Sequence, residues 1–227
     1  MKITCYNFLD KTRMRVIPVA VFLDYNTSML KKIPVIFLNH GSDVPNTYYS
    51  YLAEFLQNKG YVVVCIQHDI IGDEPISLPK FQTGILKETR LPIWKMWILN
   101  MLFVIKELGK VEPTFDFKKF ILIGHSTGAD ASMLFATKYP DLVSKVISLD
   151  GRRCPFPRNP KLNILLLQAN DTTTDEGVIP ILSEENNPEM KIIKIKNAHH
   201  MDYCDEGTKK VKSEAIKIIE KFLNCKN

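Results

Sequence analysis

The sequence lacks three features that would place the protein in a specialised class. No stretch approaches the roughly 18 consecutive apolar residues needed to cross a bilayer, so we expect no integral membrane segment. The N-terminal stretch MKITCYNFLDKTRMRVIPV has polar and charged residues where a secretory signal needs an apolar core, so we expect no signal peptide. Internal repeats and low-complexity linkers are also missing, and 227 residues suit one domain covering 1–227.

The cysteines do not form a disulfide pattern. There are five of them, widely spread and without a Cys-x-x-Cys pair: Cys5, Cys65, Cys154, Cys204 and Cys225. An odd number without paired spacing indicates free thiols in a reducing compartment. Together with the missing signal peptide, this predicts a cytoplasmic protein.

The charge is also modest, with a net value of +5. Many of the lysines fall in the last segment, TKKVKSEAIKIIEKFLNCKN. Val211, Ala215 and Phe222 would form the apolar face of a helix there, and the lysines its solvent-exposed face. We therefore expect no nucleic-acid partner. The sequence does not set the oligomeric state.

Apolar, β-branched runs alternate with segments of helical period. This pattern predicts an α/β protein, with a mostly parallel twisted sheet and helices covering it. The predicted strands are RVIPVAVFLD, IPVIFLNHG, YVVVCIQHD, FILIG, VSKVISLD, KLNILLLQA and EMKIIKIK, and the predicted helices are YYSYLAEFLQNKG, LPIWKMWILNMLFVIKELGK (closed by Gly109), GADASMLFATKYP and KVKSEAIKIIEKFL. Pro18 suggests an edge position for the first strand. The short connection between SLDG and KLNILLL leaves no room for a separate cap domain.

A long polar stretch, Gly72–Arg90, shows no clear periodicity. Loops of this length are often lids or binding loops, and a plain surface excursion is the alternative. Phe81, Trp94 and Trp97 could wall an apolar acyl pocket, or the tryptophans could belong to the core of a helix.

The motif GHSTG makes Ser126 the candidate nucleophile. A serine held in a sharp turn between a strand and a helix projects its hydroxyl away from the sheet, and the flanking positions need glycine because side chains there would collide with backbone. The apolar run FILI before the motif and the helical segment ADASMLFATKY after it supply that setting. The alternative is an ordinary glycine turn with a spectator serine.

The stretch FLNHGSD predicts part of an oxyanion site. A strand that ends in His40-Gly41 can expose backbone N–H groups without a side chain in the way. One donor would be the amide of Thr127, the residue after the nucleophile, and the other that of Ser42 or Asp43.

Of the five histidines, His200 is the best candidate for the general base. It follows the last predicted strand, in NAHHMDYCDEG, where a base is wanted at the carboxyl end of the sheet. His125 is adjacent to the serine and points away from it, while His68 closes a strand and could line the pocket. The alternative is a metal site made by His199 and His200 with Asp202, Cys204 or Asp205, but the spacing does not support it and we expect no metal.

The acid should lie between nucleophile and base, after the strand NILLLQA. Asp171 is our first choice because it follows that strand closely, Asp175 is the second, and Glu176 is an outsider. The order is then serine, aspartate, histidine, which is the α/β-hydrolase order.

On these motifs the chain resembles the α/β-hydrolase superfamily over nearly its whole length. DKTRMRVIPVAVFLD, YVVVCIQHD, GHSTGA, SLDGRRCPFP and NAHHMDYCDEG are similar to lidless or small-lid serine esterases of the platelet-activating-factor acetylhydrolase, dienelactone hydrolase and cutinase types. The resemblance implies one α/β-hydrolase domain and hydrolysis of a small-molecule carboxylic ester through a serine acyl-enzyme, with no cofactor. The sequence departs from these relatives at Thr127, at His199 in place of the glycine that usually precedes the base, and in having serine where a true dienelactone hydrolase has cysteine.

The resemblance does not fix the substrate. Short or medium acyl esters are the leading expectation, and His40, Gly41, His68 and His125 are the predicted pocket residues. Thioesterase, amidase or acyltransferase activity would use the same machinery. A binding protein with this fold but without turnover is the alternative from another class.

Overall fold

An eight-stranded sheet forms the centre of the molecule. The computed structural model describes residues 2–24, 32–75, 86–180 and 190–225. The strands are β1 (Lys2–Asp10), β2 (Arg15–Leu23), β3 (Ile33–Asn39), β4 (Val62–Ile66), β5 (Phe115–His125), β6 (Val143–Leu149), β7 (Asn163–Gln168) and β8 (Met190–Lys194). The helices are α1 (Ser50–Asn58), α2 (Leu86–Val111), α3 (Thr127–Lys138) and α4 (Lys209–Asn224).

The strands are ordered β1-β2-β4-β3-β5-β6-β7-β8 across the sheet. The first two pairings, β1 with β2 and β2 with β4, are antiparallel, and every later pairing is parallel. All five residues of β4, VVVCI, are buried, as expected for a strand covered on both faces. The predicted mostly parallel α/β architecture is confirmed.

Helices cover both faces of this sheet. On one face, Trp94 and Trp97 of α2 and Phe135 of α3 pack with strand residues such as Val64. On the other face, Leu56 of α1 belongs to a second cluster that includes residues of α4 and of the strands. Because successive strand side chains point to opposite faces, each strand contributes to both apolar layers. Trp94 and Trp97 are both completely buried, so they are core residues. Phe81 and the residues around it lie outside the described part of the chain.

Three elements differ from the sequence expectations. Strand β1 was not predicted, and it forms the edge that we had assigned to β2. Pro18 is tolerated inside the sheet because the β2–β4 ladder begins only at Val19, and the carbonyl of Pro18 still accepts the N–H of Gln67. Helix α2 runs from Leu86 to Val111, so it begins before the predicted segment and continues past Gly109.

The parallel direction of β3, β5, β6 and β7 brings their carboxyl ends to one edge of the sheet. The loops that follow these strands therefore meet, which is where open α/β sheets bind ligands. All five cysteines are in the described part of the chain and are free thiols. In the described ranges, no helix combines the length and apolarity that a membrane crossing requires.

Candidate active site

Ser126 occupies a strained turn between β5 and α3. Its φ of 52° and ψ of −119° lie outside the regions that side-chain-bearing residues usually adopt. The strand ends at His125 and the helix begins at Thr127, so a single residue makes the reversal and presents its hydroxyl at the edge of the sheet. This is the geometry expected of an exposed nucleophile.

The two glycines of the motif are required by close backbone contacts. A Cβ at Gly124 would collide with the backbone of Gly128 and Ala129, and a Cβ at Gly128 would collide with the carbonyl oxygens of Asn39 and His40. Strand β3, the turn and helix α3 are therefore packed backbone against backbone. This packing accounts for the glycine spacing of GHSTG.

His200 connects Ser126 to a buried carboxylate. Its Nε2 lies 3.0 Å from Oγ of Ser126, and its Nδ1 lies 2.5 Å from Oδ2 of Asp150. With Nδ1 donating to the carboxylate, Nε2 is free to accept the proton of the serine hydroxyl. The three side chains thus have the arrangement of a nucleophile, a base and an orienting acid.

Asp150 is held rigidly at the end of β6. Its other oxygen, Oδ1, accepts hydrogen bonds from the N–H of Ala169 and the hydroxyl of Thr172, each at 2.9 Å, and the residue is only 1% exposed. Burial alone would raise the pKa of Asp150, but the hydrogen bonds from His200, Ala169 and Thr172 outweigh it and leave the pKa below its usual value. The carboxylate is therefore ionised beside the histidine at neutral pH.

The structure places Asp150, and neither Asp171 nor Asp175, against the ring of His200. Asp171 accepts the backbone N–H of His200 at 2.8 Å and lies 3.4 Å from Nδ1 of His199, so it holds the loop and not the imidazole of His200. Asp175 is exposed, and its backbone N–H donates to the carbonyl of Arg152.

The reason for this difference lies in the sheet. Strands β6 and β7 are parallel neighbours, with Leu149 opposite Leu167, so a carboxylate after either strand can reach the same histidine. Asp150 adopts a φ of 53° directly after the buried end of β6, which turns its side chain toward the next loop. The stretch SLDG, an aspartate at the end of a buried strand and before a glycine, was the signal available in the sequence.

Two backbone amides are candidates for the oxyanion site. The N–H of Thr127 is the first of helix α3, and the first amides of a helix have no acceptor within it. On the loop after β3, the N–H of Gly41 donates to the Tyr49 hydroxyl and that of Asp43 donates to Asp69. This leaves Ser42 as the candidate donor of that loop, in preference to Asp43.

His40 orients the Ser42 amide. Its Nδ1 donates to the carbonyl of Gly41 at 2.6 Å, and its Nε2 accepts the N–H of His68 at 2.9 Å. Because the C=O and N–H of a trans peptide point in opposite directions, this bond turns the N–H of Ser42 away from the buried ring. Burial lowers the pKa of His40, so the neutral form with this proton arrangement is favoured.

Comparison with solved structures identifies the fold. A dienelactone hydrolase from Anabaena variabilis shares 16% sequence identity with the chain, with a TM-score of 0.64, over 98% of this chain and 97% of that one. A dienelactone hydrolase-like promiscuous phosphotriesterase from metagenomic libraries gives a TM-score of 0.72 at 12% identity, over 98% of both chains. One of two esterases from the fungus Rhizomucor miehei gives a TM-score of 0.68 at 12% identity, over 98% of this chain and 81% of that one.

This chain has the α/β-hydrolase fold. The resemblance inferred from the motifs is confirmed at this level by similarity over almost the whole chain. No family model matches the sequence, and no curated protein matches it. At these identities the shared property is the fold, and the chemistry has to be argued from the site itself.

In this α/β-hydrolase fold, a cavity of about 260 Å³ opens beside Ser126 and His200. Gly41 and His125 line it, as predicted, whereas His40 and His68 do not. Both of these histidines are completely buried, and the His68 ring stacks on Trp97 with 4.4 Å between ring centres. The remaining lining residues are Ser42, Asp43, Val44, Tyr49, Arg90, Asp130, Asp150, Arg152, Arg153 and Met201.

A buried relay of hydrogen bonds through Tyr49 and His125 joins the loop after β3 to His200. The hydroxyl of Tyr49 accepts the N–H of Gly41 at 2.9 Å and lies 2.7 Å from Nδ1 of His125, and Nε2 of His125 lies 2.9 Å from the carbonyl of His200. The carbonyl can only accept, so Nε2 carries the proton and Nδ1 accepts from Tyr49. Burial, with a smaller effect of His200, lowers the pKa of His125 to about 3, so it stays neutral and cannot replace His200 as the base at neutral pH.

The alternative metal site is not supported by its donors. Asp202 accepts the backbone N–H groups of His199 and Thr208, and Asp205 accepts those of Ser50 and Tyr51. The carboxylates of Asp202 and Asp205 therefore hold backbone N–H groups of loops and helix N-termini. In the part of the chain that the structure describes, no group of three or more histidine, cysteine or acidic side chains could hold a metal ion.

Proposed function

We propose that this protein is a serine hydrolase that cleaves small carboxylic esters through an acyl-enzyme. The observation that carries the proposal is the His200 ring, whose two nitrogens lie 3.0 Å from the Ser126 hydroxyl and 2.5 Å from the Asp150 carboxylate. Ser126, His200 and Asp150 all line a cavity at the edge of the sheet where ligands bind in open α/β folds.

In the first half-reaction, Oγ of Ser126 attacks the ester carbonyl and Nε2 of His200 takes the hydroxyl proton. The negative charge that forms on the carbonyl oxygen is stabilised by the amides of Thr127 and Ser42. When the tetrahedral intermediate collapses, the bond to the alcohol oxygen breaks and His200 gives its proton to that oxygen. The acyl group remains on Ser126.

In the second half-reaction, His200 removes a proton from water, and the hydroxide that results attacks the acyl-enzyme. The acid is released and the proton returns to Oγ of Ser126. Throughout, Asp150 keeps Nδ1 of His200 protonated and stabilises the imidazolium. No cofactor or metal takes part in this scheme.

Ester hydrolysis by the wild type and by Ser126→Ala tests the proposal. We expect the wild type to hydrolyse p-nitrophenyl butyrate and the variant to lose at least about 10⁴-fold in kcat. Equal rates for the two proteins would overturn the proposal.

The same attack is possible on thioesters and amides, and an alcohol could replace water as the acyl acceptor. A panel of matched p-nitrophenyl ester, acyl thioester and acyl anilide substrates decides among these activities by their kcat/KM values. Binding of the ester without turnover by wild type would instead favour a ligand-binding role.

The cysteines support a reducing, cytoplasmic setting for this activity. Cys65, Cys154 and Cys204 are buried free thiols, and burial strongly raises the pKa of Cys65, which makes it unreactive.

A further inference from the structure

Three arginines line the cavity that holds Ser126. Arg90 comes from helix α2, and Arg152 and Arg153 come from the segment directly after Asp150. The proposed ester chemistry explains the serine, the histidine and Asp150, but it gives no role to three guanidinium groups beside them. A short ester with an uncharged acyl chain would not need them.

Asp130, which also lines the cavity, holds the backbone of Arg152 and Arg153 in place. Oδ1 of the buried Asp130 accepts the backbone N–H groups of Arg152, Arg153 and Cys154, each at 3.1 Å. This fixes the path of the chain from which both arginine side chains extend. Nη1 of Arg90 donates to the Thr127 hydroxyl at 3.1 Å, which places this guanidinium beside the residue whose amide is a proposed oxyanion donor. The positive groups are therefore preorganised.

The hydrogen-bonding capacity of Arg152 and Arg153 exceeds what the surrounding acids use. Nη1 of Arg153 is buried and has no acceptor among the described residues. Nε of Arg152 is 4.0 Å from Oδ2 of Asp150, beyond hydrogen-bond distance. Asp150 is already bound by His200, Ala169 and Thr172. A buried donor without an acceptor is unfavourable, and a bound anion would relieve it.

The three charges also interact unfavourably with one another. Burial is the main cause that lowers the pKa of Arg90 to about 10, and the charge of Arg153 is the second. The pKa of Arg153 is also lowered, mainly by burial and then by the charge of Arg152. Asp130 and the exposed Asp43 offset part of this repulsion at Arg90. An anion in the cavity would be attracted by the guanidinium groups and would offset their mutual repulsion.

We infer that Arg152 and Arg153, together with Arg90, bind an anionic oxygen group of the substrate, a carboxylate or a phosphate carried close to the scissile ester. Guanidinium groups recognise such groups through paired hydrogen bonds. The cavity of about 260 Å³ suits a compact substrate with both groups near Ser126. This inference rests on the proposed function and names the substrate class of that site.

The first test compares two matched esters. Monomethyl succinate carries a carboxylate where methyl butyrate carries a methyl group, and acid release in a pH-stat measures the hydrolysis of both. We expect the wild type to prefer the charged ester by at least about tenfold in kcat/KM, and Arg153→Met and Arg152→Met each to reduce this ratio by about tenfold or more.

Arg158→Met is the matched control. Arg158 lies in the same segment, but its guanidinium donates to the carbonyls of Phe156, Gly177 and Val178 and does not line the cavity. We expect its preference ratio to equal that of the wild type. A wild-type ratio near one, or an equal fall of the ratio in Arg158→Met, would overturn the inference while leaving Ser126-dependent hydrolysis intact.

Binding to Ser126→Ala gives a readout that does not depend on turnover. Calorimetry with monomethyl succinate should show at least about tenfold weaker binding when Arg153→Met is added. Competition by inorganic phosphate or by succinate then indicates which anion the site prefers. Unchanged affinity on adding Arg153→Met overturns the anion site, and loss of Ser126-dependent turnover with both esters overturns the proposed function separately.

Discussion

The carboxylates of Asp150 and Asp171 hold the same histidine at two different atoms. Oδ2 of Asp150 is 2.5 Å from Nδ1 of the His200 ring, while Oδ1 of Asp171 is 2.8 Å from the backbone nitrogen of His200. Only the first contact can set the tautomer and stabilise a charge on the ring. The Asp171 contact fixes the backbone of the loop that carries His200.

This difference predicts unequal effects of two conservative substitutions. Asp150→Asn should lower kcat by about 10⁴, because an amide at this position no longer favours the Nδ1–H tautomer or the imidazolium. Asp171→Asn should cost less than about tenfold, since an amide oxygen can still accept the His200 N–H. Steady-state rates with p-nitrophenyl butyrate measure both, with Asp175→Asn as the exposed control. A larger loss for Asp171→Asn would show that the acid has been assigned to the wrong strand.

The sequence allowed Ser126 and His200 to be chosen as the proposed nucleophile and base because their signals are local. Gly124, Ser126 and Gly128 lie in one turn, and His200 follows the last strand. Asp150 was missed because its contact with the His200 ring depends on the pairing of β6 with β7, a register that no local pattern specifies. His68 was placed in the pocket wrongly for a similar reason, since its stacking on Trp97 depends on where α2 crosses the sheet.

Replacing Tyr49 should show how far its hydroxyl positions His200 for catalysis and how far it stabilises the fold. Tyr49→Phe removes the acceptor of the Gly41 N–H and the donor to Nδ1 of His125. We expect kcat to fall by about tenfold with a smaller change in KM, and the free energy of unfolding to fall by about 1–3 kcal/mol. Rates and denaturant unfolding measure the two effects.

Tyr51→Phe is the control for that experiment. The Tyr51 hydroxyl donates to the carbonyl of Tyr203 at 3.0 Å and does not line the cavity. It should lower the free energy of unfolding without lowering kcat. If both variants lost the same fraction of kcat, the relay would have no specific part in positioning His200.

The buried imidazole of His125 predicts how stability depends on pH. Its pKa in the folded protein is about 3, whereas an unfolded histidine has a pKa of about 6.5, so the unfolded chain binds more protons between these values. The contribution of the neutral His125 to the free energy of unfolding is fully present above pH 6.5 and is lost as the pH falls toward 3. Between pH 7 and pH 4 the loss amounts to about 3 kcal/mol.

His125→Asn should therefore flatten the fall in the free energy of unfolding between pH 7 and pH 4, as measured by urea denaturation. His199→Gln provides the comparison, because the side chain of His199 is 73% exposed. An identical pH slope in wild type and His125→Asn would mean that His125 is not held neutral by burial.

The glycine at position 128 should be irreplaceable on steric grounds. A Cβ there meets the carbonyl oxygens of Asn39 and His40, so Gly128→Ala should lower the free energy of unfolding by about 3 kcal/mol or prevent folding. Gly109→Ala is the opposite case, because its Cβ would meet only a ring carbon of Phe117 at 3.8 Å within α2. There alanine should stabilise by about 0.5–1 kcal/mol. Thermal melts that ranked the two variants in the reverse order would contradict the packing described here.

The most direct test of the central claim is covalent labelling with a fluorophosphonate, followed by mass mapping of the modified peptide. The reagent reacts with a serine that has a functioning base, so the account predicts one adduct, on Ser126, that forms rapidly in the wild type and at least about 100-fold more slowly in His200→Gln and Asp150→Asn. Absence of an adduct in the folded wild type, or equal labelling of Ser126→Ala, would contradict the claim that Ser126, His200 and Asp150 act together.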